Sequence, residues 1–556
     1  MVSDIVTASG KYNFELLRIP VKSNWNITRC RSLLEDYDDK TICDYIEFGW
    51  PVSHTLVKKL NQKTENHAGV LQYEEAIDEY LKVEVERGSA IGPFQKNPFN
   101  REIAISPLNA IPKKDTVEPR VILDLSFPQG SSINDGISAT HYLGEEISTI
   151  YPRVDDLVDL IHKKGRGCLL FKKDLKKAYR QIPIDPSDIP LLGYKWRGNL
   201  YFDSSLPMGL RSSAYICQRV TSAVSYLMIR NGFSLLNYLD DFAGAEVPGK
   251  AMAAYNKLGE ILQQMGLKES PSKACSPTEV MSFLGVLFDT NKLTLEVTVE
   301  RLNEIQDLLG TWQKKRSATK KELESLIGKL MFITKCVRGS RVFMARILAA
   351  LREMDNDISY KLDVELMKDL EWWDCFLRKF NGTVMMPFQD WSKPDSVIAV
   401  DACMTGLGGI CWGTNEVFHI KLPLDYTGNK FHINELECLC LVISLKIWGK
   451  SLQRKKILIF SDNMVTVSVV NSGKSHTKFL QACIREIAFV MCTNESEIRA
   501  IHIEGKENRV PDYLSRWYND GKYQGLFWNE MLRLDRLHNV KEIEVPLDLL
   551  TLKSTW

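Results

Sequence analysis

A chain of 556 residues is too long to close around one apolar core and implies three or four folded units. Its composition, 44% hydrophobic and 25% charged, is ordinary for a globular protein, and a formal net charge of +1 gives no global sign of a polyanionic partner. No window approaches about 18 uncharged apolar residues, which excludes a membrane-spanning helix; MVSDIVTASGKYNFELL lacks a basic stretch followed by an apolar one, which argues against a secretory leader, and 13 cysteines without a CxxC pair imply reduced thiols in an intracellular compartment, cytoplasmic or nuclear.

Along the chain, residues 1–90 mix polar and apolar types, with a helical pattern at about 70–87 (VLQYEEAIDEYLKVEVER), and carry no nameable chemistry. From 91 to 128 the texture turns to short extended runs broken by Pro: GPF, SPLNAIPKK, PRVILDLSFP. Strand-like runs follow at 168–173 (CLLFKK), 190–197, 235–239 (LLNYL) and 283–288 (FLGVLF), with amphipathic helices at about 212–231 and 250–266. Such a mixture predicts an α+β sheet domain. Residues 296–390 read as mainly helical. Between Arg301 and Arg352 stand 12 Lys and Arg against 4 Asp and Glu. On charge alone that is a solvated helix face, and it becomes a phosphate-tracking surface only beside catalytic motifs. After a break at MMPFQDWSKPDS comes a second α/β pattern: strand VIAVDA, a hairpin with GLGGICWG, helix NELECLCLVISLKIWG, strand KILIFSD, a helix, strand EIRAIHI and a helix near 511–518. The divisions are therefore 1–90, 91–295, 296–390, 391–520 and a tail, 521–556.

Nucleotidyl transfer needs two divalent cations held together, and hard Mg²⁺ prefers several convergent carboxylate oxygens. Asp174 ends an apolar strand, and Asp240-Asp241 sit where the strand LLNYL turns. An Asp-Asp pair at a turn is by itself ordinary turn chemistry. Its surroundings decide the matter. IPKKDTVEPRVILDLSFP, KKDLKKAYRQIPI, LPMGLRSSAYICQRV, YLDDF, GLKESPSKA and FLGVLFD occur in the order, and with the 66-residue spacing from Asp174 to Asp240, of retroelement reverse transcriptases, which the chain resembles.

That resemblance implies a polymerase right hand of fingers, palm and thumb. It implies Asp174, Asp240 and Asp241 as ligands of two Mg²⁺ ions, with Mn²⁺ as a substitute. Lys113 and Arg120 match the finger residues that grip a deoxynucleoside triphosphate, Tyr179 the aromatic gate against a 2′-hydroxyl, and Gly209 the glycine where backbone nears the template–nucleotide pair. Lys273 matches the general acid toward pyrophosphate, with Lys268 as the alternative. Met208 stands where many retroviral enzymes carry Gln, which removes a polar contact near the sugar.

The later pattern resembles the ribonuclease H fold, so an α/β ribonuclease H-like domain is expected after the polymerase. The likeness implies Asp401, Glu437, Asp462 and Asp512 as its four metal-holding carboxylates, the last in GKENRVPDYLSR. Glu435 is the rival of Glu437. Small Cys440 three residues on favours Glu437, at a place where the family usually has Ala. His502 matches either a mobile catalytic histidine or an inward residue of the strand AIHI, and Asn463 reads as structural or phosphate-facing.

A polymerase copying an RNA template from a DNA primer leaves an RNA–DNA hybrid that a tethered nuclease can clear, recognised by shape and 2′-hydroxyls. ERGSAIGPF, LDLSFPQGSSINDGI, LIGKLMFITKCV and DLEWWDCFLRKFNG resemble DIRS-type, tyrosine-recombinase retrotransposons and gypsy-like elements. No protease, zinc-knuckle or integrase pattern accompanies them, so the expectation is an isolated polymerase–nuclease portion or a fragmentary copy. The alternatives are a domesticated, non-catalytic RNA-binding scaffold and a purely DNA-dependent polymerase; all seven motif carboxylates are present, which disfavours the scaffold.

Overall fold

The computed structural model describes residues 19–552 apart from 56–63, 114–115, 357, 381, 387–390, 428–429 and 476. The chain divides into two compact units, Met1–Met281 and Ser282–Trp556.

The first unit holds helices α1 (Ile27–Leu33), α2 (Ile42–Phe48), α3 (Glu74–Arg87), α4 (Val154–Lys164), α5 (Ser213–Arg230) and α6 (Pro248–Met265). Its central sheet is built from β1 (Leu169–Asp174), β2 (Leu236–Tyr238), β3 (Asp241–Glu246) and β4 (Cys275–Thr278), in the order β4-β1-β3-β2 and antiparallel throughout. A hairpin of Leu108–Lys113 with Thr116–Leu123 stands apart from it. α6 begins with Pro248, whose missing N–H costs nothing in a first turn, and ends at Gly266 with φ +86°. β3 is buried almost throughout, because α4 and α6 pack on it. Its Gly244 leaves room for the Phe171 ring of β1, which a Cβ would meet at 2.3 Å.

The described residues before 90 are integral to this unit. Trp25, Cys30, Ile46, Trp50, Ile77 and Leu81 share one apolar core with Phe171, Ile216 and Phe242. Two expected strands differ in form. The run 283–288 is interrupted: Leu284 (φ +49°) and Gly285 (φ +79°) turn the chain between Val280–Phe283 and Val286–Asp289, since paired positive φ values make the tight turn whose twist suits a hairpin. The run 190–197 opens with a single 3₁₀ turn, Ile189–Leu191, and only Gly193–Trp196 is extended.

In the second unit come α7 (Val299–Gln313), α8 (Lys320–Thr334), α9 (Ala345–Glu353) and α10 (Val364–Leu377). They are followed by β5 (Ser396–Cys403), β6 (Gly406–Cys411), β7 (Glu416–Lys421), α11 (Ile433–Trp448), β8 (Lys456–Ser461), α12 (Met464–Ser472), α13 (Lys478–Thr493), β9 (Glu497–His502), α14 (Arg509–Ser515), α15 (Lys522–Arg533) and β10 (Lys541–Glu542). The sheet order is β9-β8-β5-β6-β7-β10: β5 is parallel to β8 and β8 to β9, while β5, β6 and β7 run antiparallel. α11 is apolar nearly all round, as a helix covered on every side must be, and lies in the core on one face. Val510, Leu514, Phe527 and Met531 of α14 and α15 cover the other. The stretch after 520 thus folds back: β10 adds a parallel edge strand beside Glu416 and Val417, and Leu550 enters the core of the α11 face.

α10 carries its burial in Trp372, Trp373 and Phe376, with Trp372 stacked on Phe343 at 3.5 Å between ring centres. Beside them Asp369, wholly buried, accepts from the Arg346 backbone N–H at 3.1 Å and faces the guanidinium groups of Arg346 and Arg485, each at 3.3 Å. Arg485 is only 2% exposed and comes from α13, so this ion pair ties the helical stretch to the sheet layer. Removing the carboxylate leaves a buried cation unpaired, at a cost of about 3–5 kcal/mol. Asp369→Ala is therefore expected to lower the thermal unfolding midpoint of the second unit by several degrees, whereas an unchanged melting curve would show that the pair contributes nothing to its stability.

Candidate active sites

The antiparallel register of β1 and β3 places Asp174 directly opposite Asp241. The turn from β2 into β3 carries Leu239 at φ +54°, with Asp240 beside it. Asp174 is 3% exposed; its Oδ2 accepts from Lys273 Nζ at 3.0 Å, and its buried Oδ1 has no hydrogen-bond donor among the described residues. Burial, then a hydrogen bond shared with Asp174 and the charges of Asp174 and Asp240, pushes the Asp241 carboxyl up to about 6. Asp240 is raised too, by burial and by the charge of Asp174, while the hydrogen bond to Asp174 raises Lys273. One lysine cannot neutralise three carboxylates. A buried orphan oxygen among hard acidic donors is the set a divalent cation satisfies. Lys268, the alternative to Lys273, is engaged through its main chain, with its N–H donating to Gln181 and its carbonyl accepting from Lys176.

The turn is held from beneath by polar groups that sequence reasoning passed over. Gln218 of α5, 2% exposed, accepts from the Leu239 N–H and donates to the Asn237 carbonyl, both at 2.8 Å, and so grips the hairpin on either side. Asn237 in turn donates to Thr221 Oγ1 at 3.0 Å and accepts from Ser225 Oγ at 2.8 Å. Gln218, Thr221 and Ser225 stand at i, i+3 and i+7, a polar stripe on a largely buried helix, and that spacing is the signal that marks them.

Gly209 has φ +92°, and a Cβ there would meet nothing nearer than Leu123 O at 3.7 Å, so conformation rather than crowding requires the glycine. Buried Asn134 fixes that loop, donating to Gly209 O and accepting from Arg211 N–H at 2.8 Å each. Tyr179 is half-buried, its hydroxyl raised by burial first and then by Cys217 and Asp240, which places the ring beside the turn. The next residue, Arg180, is locked by Asp203 at 2.8 Å and Glu84 of α3 at 3.2 Å. Arg120 is exposed on its hairpin strand opposite Ile111; the side chain of Lys113 lies outside the described residues. Met208 is 61% exposed.

In the second unit Asp401 on β5, Glu437 on α11 and Asp462 after β8 bring ligand oxygens within 4.8 Å of one another, the one such acidic group among the described residues. Glu437 Oε1 accepts from Ala402 N–H at 3.2 Å, while Glu437 Oε2 and Asp401 Oδ2 are buried without a hydrogen-bond partner among the described residues. Burial, with the charges of Asp462 and Asp512 added and a Ser515 hydrogen bond opposing, pushes Asp401 up to about 7; Glu437 is raised further by burial and by Asp401. Glu435 points elsewhere, accepting from the His432 N–H at 2.9 Å as the reciprocal half of a helix cap. Cys440 lies under Gly408, donating to its carbonyl at 3.3 Å.

Asp512 lies outside the group of three, with its Oδ1 held by Arg516 Nε at 2.7 Å. His502 is exposed rather than inward, because the strand ends there, and its Nε2 stands 3.2 Å from the Asp462 carbonyl. Asn463 caps α12 through Thr466 N–H at 3.0 Å and donates to Asn434 at 2.9 Å.

Because folding raises Asp401 from 3.8 to about 7, its protonated form favours the folded state, and that contribution is present at low pH and lost as pH rises through 7. For a carboxyl 5% exposed, the effect is about 1–3 kcal/mol. In chelator, the thermal midpoint should fall between pH 5 and pH 8; Asp401→Asn should flatten that fall and abolish the rise produced by added Mg²⁺ or Mn²⁺. A midpoint independent of pH in the native chain would contradict this.

Residues 111–288 match the family model described as "Reverse transcriptase (RNA-dependent DNA polymerase)". Protein P of duck hepatitis B virus (strain United States/DHBV-16) is 23% identical over 336 residues, covering 59% of this chain and 36% of the viral protein. The enzymatic polyprotein of cauliflower mosaic virus (strain NY8153) is 25% identical over 388 residues, 66% of this chain and 52% of the polyprotein, and polyprotein P3 of Commelina yellow mottle virus is 22% identical over 379 residues, 65% and 19%. The chain thus spans about a fifth to a half of these relatives. Among solved structures, a foamy viral protease-reverse transcriptase in complex with ds DNA aligns over 90% of this chain and 81% of its own, at 14% identity and a TM-score of 0.48. The hairpin that sets Asp240 and Asp241 before Asp174 falls inside residues 111–288, the span similar to the reverse transcriptase family model, and the similarity to the viral proteins covers 59% and 66% of the chain.

Proposed function

We propose that the chain is the RNA-directed DNA polymerase of a retrotransposon, DIRS-type or gypsy-like, extending a primer on an RNA template, with a ribonuclease H-like domain that cleaves the RNA strand of the resulting hybrid. The observation that carries the first half is the cross-strand pairing of Asp174 with Asp241 beside Asp240. The second half rests on the convergence of Asp401, Glu437 and Asp462 on a β5-β6-β7-α11-β8 frame.

In the polymerase, Asp174, Asp240 and Asp241 would hold two divalent cations, Mg²⁺ or Mn²⁺. When bound, they supply activation of the primer 3′-hydroxyl and charge stabilisation at the leaving pyrophosphate. The side chains do the rest. Lys273, which donates to Asp174, would give a proton to the pyrophosphate oxygen, in preference to Lys268, which makes no such contact among the described residues. Arg120, with Lys113 on the facing strand, offers a fork and a point charge to the triphosphate. Tyr179, fixed by the Arg180 clamp, excludes a 2′-hydroxyl by contact, and Gly209, fixed by Asn134, keeps its backbone open to the nucleotide.

In the nuclease, Asp401, Glu437 and Asp462 form the preassembled part of the ligand set. Asp512 joins once its carboxylate leaves Arg516, and His502 stands at the rim. Phosphate contact is assigned to the part of the basic stretch not spent internally. Arg301 and Lys329 pair with Glu304, Lys315 with Glu322 and Arg346 with Asp369; of the other exposed cations among the described residues, Lys314, Arg316 and Lys321 gather at the junction of α7 and α8, while Lys335 and Arg352 stand elsewhere in the stretch.

Primer extension on an RNA template with Mg²⁺ tests this reading. Asp240→Asn combined with Asp241→Asn should reduce extension by about two orders of magnitude or more while hybrid cleavage persists; Asp462→Asn should do the reverse. Duplex binding by wild-type protein that neither extends primers nor cuts hybrid, with either metal, would favour a non-catalytic scaffold instead.

A further inference from the structure

The first 90 residues carry no motif, yet residues 25–52 are built into the polymerase unit at two places that bear on its carboxylates. The first is α5. Arg219, adjacent to Gln218, directs Nε and NH2 to Asp39 Oδ2 at 2.9 and 2.6 Å, and NH2 to Thr41 Oγ1 at 2.9 Å. Its guanidinium carbon lies 5.1–5.7 Å from the rings of Tyr45, Trp50, Tyr142 and Tyr215. Ser212 Oγ donates to Val52 O at 2.9 Å, the Tyr226 ring packs on Tyr37 at 4.8 Å, and Arg230 reaches Asp36 at 3.5 Å. Positions 212, 219, 226 and 230 form one stripe of the helix, and the stripe of Gln218, Thr221 and Ser225 that grips the catalytic turn lies about 130° round from it, so the helix is held between residues 25–52 on one side and the turn on another.

The second place is the chain leaving Asp174. Trp25 Nε1 donates to Gln181 O at 2.8 Å, the Trp50 N–H to Pro183 O at 2.9 Å, and the Asp185 N–H to Trp50 O at 3.0 Å. Gly49, at φ +94°, passes so close that a Cβ would meet Ile184 O at 2.4 Å.

We infer that residues 25–52 are a brace for the catalytic carboxylates: Asp39, by holding Arg219, fixes the rotation of α5, and α5 through Gln218 fixes the turn that carries Asp240 and Asp241. Asp39 and Arg219 are positioning residues, since neither touches the carboxylates themselves. The inference rests on the polymerase reading for its consequence, not for its geometry. A surface ion pair would not serve. Here the arginine side chain is 18% exposed and enclosed by four rings, so loss of its carboxylate leaves a largely desolvated charge that must move.

Amide hydrogen exchange on the full chain reads the brace directly. In Asp39→Asn, exchange over 236–246 is expected to quicken roughly three- to tenfold, with the hairpin Leu108–Leu123 unchanged and Asp39→Glu returning toward wild type. Arg31→Ala is the control from the same segment, breaking an exposed ion pair with Asp44 and Glu47 that does not reach α5. In primer extension Asp39→Asn should lower kcat by a similar factor, leave the nucleotide KM within about twofold and raise the Mg²⁺ concentration needed for half-activation. Unchanged exchange over 236–246, or equal quickening everywhere, overturns the brace. Wild-type protein that does not extend primers overturns the polymerase reading alone, and the exchange result still decides the brace.

Discussion

The register of one antiparallel strand pair governs the first unit. With Asp174 and Asp241 directly opposite, two carboxylates face each other across the closest lateral spacing a sheet allows, and like charges so placed repel. Burial adds to the cost, because Asp174 has almost no access to solvent. Burial first, and the neighbouring carboxylates after it, raise the Asp241 carboxyl, and the sheet must be fixed by interactions that do not depend on this pair. Gln218, Thr221, Ser225 and Asn237 provide those interactions with fully paired hydrogen bonds beneath the turn. A hairpin two residues wide at its tip could otherwise relax by fraying, and the repulsion would vanish with the site.

The second unit meets the same constraint differently. Asp401, Glu437 and Asp462 arrive from two parallel strands and a helix crossing between them, so no single register sets their approach. The helix α11 is held by apolar packing on all sides, which fixes Glu437 as rigidly as a hydrogen-bond network would. Among the described residues Ala402 N–H alone donates to Glu437, and Glu437 Oε2 and Asp401 Oδ2 stay buried without a hydrogen-bond partner there. In both units stability is given up locally where the carboxylates meet and recovered in the surrounding core.

The parts of this arrangement that are local in sequence were legible there. The strand end at Asp174 and the turn at Asp240 follow from short apolar runs, and helices such as Ser213–Arg230 and Ile433–Trp448 from their periodicity; Asp401, expected at a strand end, instead lies inside β5, which runs on to Cys403 because it pairs with β6 that far. FLGVLF has a strand-like composition throughout, and the positive φ at Leu284 and Gly285 is what breaks it. Glu435 and Glu437 were separable in principle, since His432 and Glu435 have the spacing of a helix cap. What composition could not show is long-range pairing: Asp39 meets Arg219 across 180 residues, and α15 and β10 close the last sheet from a stretch with no motif. His502 could not be placed by alternation alone, because a strand's last residue follows its edge rather than its face.

Each site also carries one cation of its own, and the two are not equivalent. Lys273 sits on Asp174 and Arg516 on Asp512, each damping the repulsion of its acidic neighbours. A lysine held by a carboxylate can still surrender a proton once a more basic oxygen arrives, whereas a guanidinium stays charged under any condition the fold survives. Lys273 therefore steadies the carboxylates and, under the proposed function, would also be able to give up a proton. Arg516 can do only the first. Its bond to Asp512 keeps that carboxylate apart from Asp401, Glu437 and Asp462, whereas in the first unit the strand register sets Asp174 opposite Asp241 and leaves Asp240 to the turn beside them.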